Sequence, residues 1–154
     1  MGGDSMQATA QINSKSYTNT LANLFFKFFA LNFNNRPSLK KYLKGDDGWL
    51  NFTFGIKTES GSMEQAMQFE NGTVIVLKFI PSQMDAQLIF ADENAVKEAA
   101  TKPPNRLMLA LMENRIVMNG NLGYLQLINF YLSLLLKQIH VAKLKKETKI
   151  ENRD

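Results

Sequence analysis

The chain of 154 residues has no cysteine and only one histidine. Without cysteine there is no disulfide, no thiolate nucleophile and no cysteine metal ligand. The same absence fits a reducing compartment, and a cytoplasmic setting is the expectation. The lone histidine, His140, falls on one helical stripe with Ser133 and Lys137. The neighbours that a triad or a metal site requires are missing, so a solvated surface histidine is expected. The scattered carboxylates Glu70, Asp85, Asp92, Glu93 and Glu113 share no ligand spacing. No strand-to-helix turn carries the glycines of a phosphate loop. The reading is therefore of a non-enzyme with no catalytic residue, no metal and no cofactor.

Charge is also sparse. The net formal charge is +4, and residues 137–154 hold six basic residues against three acidic ones, so most of the surplus sits there. No basic stripe with interleaved aromatics occurs elsewhere, which argues against nucleic acid. Lys143-Leu144-Lys145-Lys146 reads as a solvated helix end matched to the macrodipole, with transient contact to an anionic membrane surface left open. The apolar run Leu122 to Leu136 falls short of the roughly 20 residues of a membrane span. Residues 1–15 hold no apolar run and read as a flexible segment, neither secretory signal nor myristoylation site. Asn152-Arg153-Asp154 is no peroxisomal address.

Eleven phenylalanines and eight methionines stand out against this background. Phe fills large volumes and Met adapts to irregular gaps, which suits either a bulky core or a deformable cavity. Residues 17–33 read as a helix with Leu21, Leu24, Phe25, Phe28 and Leu31 on one face. Phe26, Phe29 and Phe33 widen that face, and Asn23 and Lys27 form a narrow polar stripe. A helix this apolar needs cover on more than one side. Asn34-Asn35-Arg36-Pro37 interrupts it, and residues 38–44 read as a further helical turn.

Strands follow. Residues 49–57 alternate, with Leu50, Phe52, Phe54 and Ile56 on one side. Residues 64–70 and 73–80 read as a hairpin about Asn71-Gly72, a pair that tolerates the positive φ of a tight turn. Residues 85–90 read as a fourth strand and 115–119 as a fifth. Helices are expected at 93–100, N-capped by Asp92, at 106–112, and at 124–146. On the last, Gln126, Asn129, Ser133, Lys137 and His140 make a polar stripe.

This order resembles the sterol carrier protein type-two domain over roughly residues 38–136. The elements that carry the resemblance are the strand led by Trp49, the hairpin Phe69-Glu70-Asn71-Gly72, Asp85 opening the next strand, and a late strand closing on Gly120-Asn121. The resemblance implies a single α+β domain over residues 16–146, followed by a flexible tail at 147–154. It implies about five mostly antiparallel strands, helices on one face, and an apolar tunnel between sheet and helices. It also implies non-catalytic binding or carriage of a hydrophobic ligand such as a fatty acid, acyl-CoA or sterol-like lipid. The expected ligand-contact residues are Phe25, Phe29, Phe54, Phe90, Met108, Leu111, Met112, Phe130, Tyr131 and Leu135. Two alternatives stand beside it: a protein-interaction or homodimerising module built on the apolar helices, and an accessory subunit of a lipid-modifying enzyme.

Overall fold

A computed structural model describes residues 17–101 and 111–153. Helix α1, Tyr17–Asn35, ends where Pro37 opens the four-residue helix α2, Pro37–Lys40, which tightens into a 3-10 turn at Lys41–Leu43. Two short strands, β1 (Lys44–Gly45) and β2 (Gly48–Trp49), form a small antiparallel ladder. The main sheet comprises β3 (Phe52–Thr58), β4 (Glu64–Glu70), β5 (Thr73–Val76), β6 (Ala86–Phe90) and β7 (Ile116–Gly120). Helix α3, Glu93–Thr101, lies between β6 and β7, and helix α4, Leu122–Glu151, follows β7. The fold is α+β, as expected from the sequence.

The strand order is β5-β4-β3-β6-β7. All neighbours are antiparallel except the central pair β3 and β6. The hairpin between β4 and β5 turns at Asn71 (φ 50°) and Gly72 (φ 78°), the two positive angles that Asn-Gly provides. Trp49 lays its ring on Gly72, leaving no room for a side chain there. The Asn71 N–H donates to Asn51 Oδ1 at 2.9 Å. Because β5 and β6 run the same way, residues 77–85 must cross the sheet. The ladder to β4 ends with the Leu77 N–H donating to the Ala66 carbonyl, and the crossing then lies on the outer face, where Met84 packs against Gly55.

Register assigns the inner face. Phe52, Phe54, Ile56 and Thr58 of β3 align with Phe69, Met67 and Gln65 of β4, and with Ala86, Leu88 and Phe90 of β6. Helices α1 and α4 cover this face. Phe29 stacks on Phe33 at 4.4 Å and meets Phe69 edge-on at 6.1 Å. From α4, Tyr124 stacks on Phe52 at 4.5 Å, and Tyr131 lies 5.1 Å from Phe33 and 5.8 Å from Phe69. Such rings contribute more than their buried area alone, through stacked and edge-on contacts.

Boundaries differ from the sequence reading in instructive places. The strand expected from Trp49 breaks at Leu50 and Asn51, because Trp49 is pairing with Lys44. β5 stops at Val76, where the chain leaves to cross the sheet. α4 runs to Glu151, five residues beyond the expected end and through most of the segment assigned to a tail. It starts at Leu122, capped by Asn121, whose Oδ1 accepts from the Gly123 N–H at 2.7 Å. The expected helix at 106–112 lies mostly outside the described residues; Leu111 and Met112 are helical.

Candidate ligand-binding face

Helix α1 is turned over relative to the sequence reading. Phe26, Phe29, Ala30 and Phe33 are buried, whereas Leu21, Leu24, Phe25, Phe28 and Leu31 face solvent. The reason is polar. Asn23, expected on the outward stripe, points inward and donates from Nδ2 to Gln65 Oε1 at 3.0 Å. Gln65 Nε2 donates to Asn19 Oδ1 at 2.9 Å, and the same oxygen accepts from the Glu64 N–H at 2.9 Å. Gln65 sits on the inner face of β4 and is buried. A buried amide without partners costs free energy, so the helix face that carries Asn19 and Asn23 must meet it.

Asn34 fixes the other end of α1. Its Oδ1 accepts from the Val74 N–H at 2.7 Å, and its Nδ2 donates to the Val74 carbonyl at 2.9 Å. The amide thus pairs with edge strand β5 as a further strand would, and closes part of an otherwise open edge. On the far side of the core, Tyr131 donates its hydroxyl to the Tyr42 carbonyl at 2.8 Å. Burial pushes the Tyr131 hydroxyl pKa well above the ordinary tyrosine range.

Asp85 joins the sheet to its crossing segment. Its Oδ2 accepts from the Thr53 N–H at 2.8 Å and from the Thr53 hydroxyl at 3.2 Å. The Asp85 N–H donates to Thr53 Oγ1 at 3.0 Å. At the same corner the Asp85 carbonyl accepts from the Asn121 N–H and packs against Gly120 (φ 95°), where a Cβ would collide with it. Asp85 is therefore a structural bracket, and these contacts account for its place at the strand opening.

The expected ligand-contact residues divide into groups. Phe29, Tyr131 and Leu135 are fully or almost fully enclosed; the two rings belong to the aromatic cluster beneath α1. Phe54 and Phe90 are buried on the inner face of β3 and β6. Leu111 is half-buried against the same core. Phe25, Phe130 and Met112 stand at the surface, Met112 with 77% of its area exposed. Met108 lies outside the described residues.

A further row went unrecognised in the sequence. Ile56, Leu88 and Met118 pair across β3, β6 and β7 on the inner face, yet Ile56 and Met118 are only half-buried. Val96 and Ala99 of α3 are half-buried against the same core. The half of the sheet beneath α1 is filled by rings, while toward β7 the buried Ala86, Leu88, Phe90 and Ile116 stand among the half-buried Ile56 and Met118. Alternation alone marked Ile56 as inward; only the strand order could place it beside Leu88 and Met118.

Among the described residues, no group of three or more His, Cys, Asp or Glu side chains could hold a metal ion. His140 is exposed on α4. No described helix is long and apolar enough to cross a membrane. An open groove of about 420 Å³ runs along the distal end of α4, lined by Val141, Leu144, Lys145, Thr148, Lys149 and Asn152. It is a surface depression far along the helix from the sheet-packing residues Leu125 to Leu135.

No family model and no curated protein matches the chain. Solved structures do. A protein described as a UbiJ-SCP2 ubiquinone synthesis protein aligns with a TM-score of 0.53 at 14% identity, over 75% of this chain and 96% of that one. Sterol carrier protein 2 from Yarrowia lipolytica, in its apo form, aligns with a TM-score of 0.45 at 18% identity, over 70% and 86%. A sec-alkylsulfatase from Pseudomonas sp. aligns with a TM-score of 0.48 at 14% identity, over 73% of this chain but only 16% of the enzyme. The fold is that of the sterol carrier protein type-two domain.

Proposed function

We propose that this protein binds or carries a hydrophobic ligand of the lipid class without catalysing a reaction on it. The observation that carries the reading is the pair of half-buried, inward-facing side chains Ile56 and Met118, set on either side of the buried Leu88. An inward-facing isoleucine on a central strand is ordinarily sealed by the opposing layer. Here the face is apolar, and Ile56 and Met118 keep part of their surface open beside it, where an acyl or polyprenyl chain would lie. Affinity would come from removing apolar ligand surface from water, at about 25 cal/mol per Å² before ordering costs. The fold supports the same class, since the UbiJ-SCP2 relative is described as a ubiquinone synthesis protein and others as sterol carrier proteins.

The proposed contacts are Ile56, Leu88, Phe90, Leu111 and Met118, with Phe54 at the floor. The rings of Phe29 and Tyr131 serve as packed wall. A cytoplasmic setting fits the absence of cysteine.

The test is titration with a fluorescent fatty-acid analogue beside thermal melting. Saturable binding, displaced by unlabelled lipid, is expected. Met118→Trp should abolish binding with melting unchanged or raised, because filling a cavity does not strain its surroundings. Met112→Trp should change neither. A melting loss on the scale of about 1–3 kcal/mol in Met118→Trp would show a filled core instead. Flat titrations across fatty acids, acyl-CoA and sterols would overturn the reading.

A further inference from the structure

The outward face of α1 has a spacing of its own. Tyr17, Leu21, Leu24, Phe28, Leu31 and Asn35 are exposed and follow intervals of four, three, four, three and four. That is the a/d seam of a heptad pattern, which matches a facing helix rather than a sheet. The opposite face of the same helix is committed to the sheet through Asn19, Asn23, Gln65 and the phenylalanine cluster. The helix therefore cannot rotate to hide the seam.

We infer that this seam pairs with the same seam of a second copy of the chain, as an antiparallel two-helix contact about a twofold axis. The sequence is self-complementary in that arrangement. With the axis between Leu24 and Phe28, Leu24 meets Phe28 of the other copy, Leu21 meets Leu31, and Tyr17 meets Asn35. The end pair matches a hydroxyl to an amide, and the four inner positions are wholly apolar. Phe25, which is 44% exposed beside the seam, falls next to its own copy across the axis.

Area favours a second copy. Tyr17, Leu24 and Leu31 are 70%, 56% and 62% exposed, and the rest of the seam is near half. For side chains of this size the stripe leaves on the order of 600 Å² of apolar surface, at the top of what a monomer ordinarily shows. Two copies bury about 1,200 Å², enough for a specific interface. Residues 1–15 offer only Met6 and Ile12 as large apolar side chains beyond Met1. A bilayer is disfavoured because a surface-seeking helix carries several cations along its own polar face. Lys27 is the only charge on α1, and the opposite face of the helix is taken up by the sheet.

Sedimentation velocity on the full chain across the micromolar range tests this. The native protein is expected at twice the chain mass, and Leu24→Glu with Phe28→Glu at the chain mass with unchanged melting. Ile75→Glu, which removes an exposed apolar side chain from the outer sheet face, should remain dimeric. Because the two copies of Lys27 lie on the same rim, added salt should strengthen the dimer. A native protein that is monomeric throughout, or a dimer that persists in the double variant, overturns the inference. So does a monomer that co-sediments with anionic vesicles and loses that binding in the double variant, which would make a bilayer the occupant. The chain has no cysteine, so mixing Leu24→Cys with Phe28→Cys chains under oxidation gives a second readout. A disulfide between the two different variants, exceeding either variant alone, is expected; none under conditions where the native protein self-associates overturns the register.

Discussion

Asn34 shows how much of this fold rests on single amide groups. One side chain satisfies both the N–H and the carbonyl of Val74 on an edge strand. Asn34→Ala removes both bonds together, and a loss of about 1–3 kcal/mol is expected in urea unfolding. Aggregation on standing should rise as well, because the β5 edge is bared. A variant as stable and as soluble as the native chain would contradict the assignment. Tyr131 offers a second residue-scale test. Its hydroxyl is buried and donates to Tyr42, so the folded chain holds that proton more tightly than the unfolded chain does. The resulting stability is fully present below the unfolded value of about 10 and falls as pH rises beyond it toward the higher folded value. Tyr131→Phe should cost about 1 kcal/mol near neutrality and should flatten part of the alkaline decline in melting temperature. Equal alkaline slopes in the two proteins would remove Tyr131 from the account.

At the scale of elements, the hairpin was the most legible feature. Asn71-Gly72 fixes its turn from within the segment, and the two flanking strands take their register from it. The alternation that put Phe52 and Phe54 on one face holds for the same local reason. Helix α1 was legible as a helix, but its orientation was not. Apolar side chains on nearly every side give two competing stripes, and hydrophobicity alone cannot choose between them. The choice is made by Gln65, forty-two residues from Asn23 in sequence and three ångströms away in space. The signal that could have found it was the pair Asn19 and Asn23, one turn apart on the side of Phe26 and Ala30. Helix α4 was extended beyond the expected end because nothing after Lys146 breaks it; neither glycine nor proline occurs there. Residues 139–151 are exposed throughout, so the distal half makes little contribution to the core. Truncation after His140 retains Gln138, which bonds Arg36 and Ser38. It is expected to shift the melting temperature by no more than a few degrees, the equivalent of roughly 0.5 kcal/mol. A collapse in stability would mean that the distal half packs on something the described residues do not include.

For the whole molecule, class and strand count were readable because each strand announces itself by alternation or by a turn. The crossing of residues 77–85 and the parallel pairing of β3 with β6 were not, since they depend on contacts remote in sequence such as Met84 on Gly55. The candidate site divides along the same line. Phe54 and Phe90 were found by alternation within their own strands, whereas the row through Ile56, Leu88 and Met118 exists only once three strands are laid side by side. Phe25 and Met112 were drawn into the expected site by helical spacing, which counts neighbours along one helix and cannot say which way that helix faces. The central claim is that the inner face around Ile56 and Met118 accepts a lipid. Native mass spectrometry of freshly purified protein, before and after incubation with fatty acid, acyl-CoA and sterol, tests it most directly. The account predicts one added lipid mass per chain, absent from Met118→Trp and retained in Met112→Trp. Bare chain mass under every condition would contradict it.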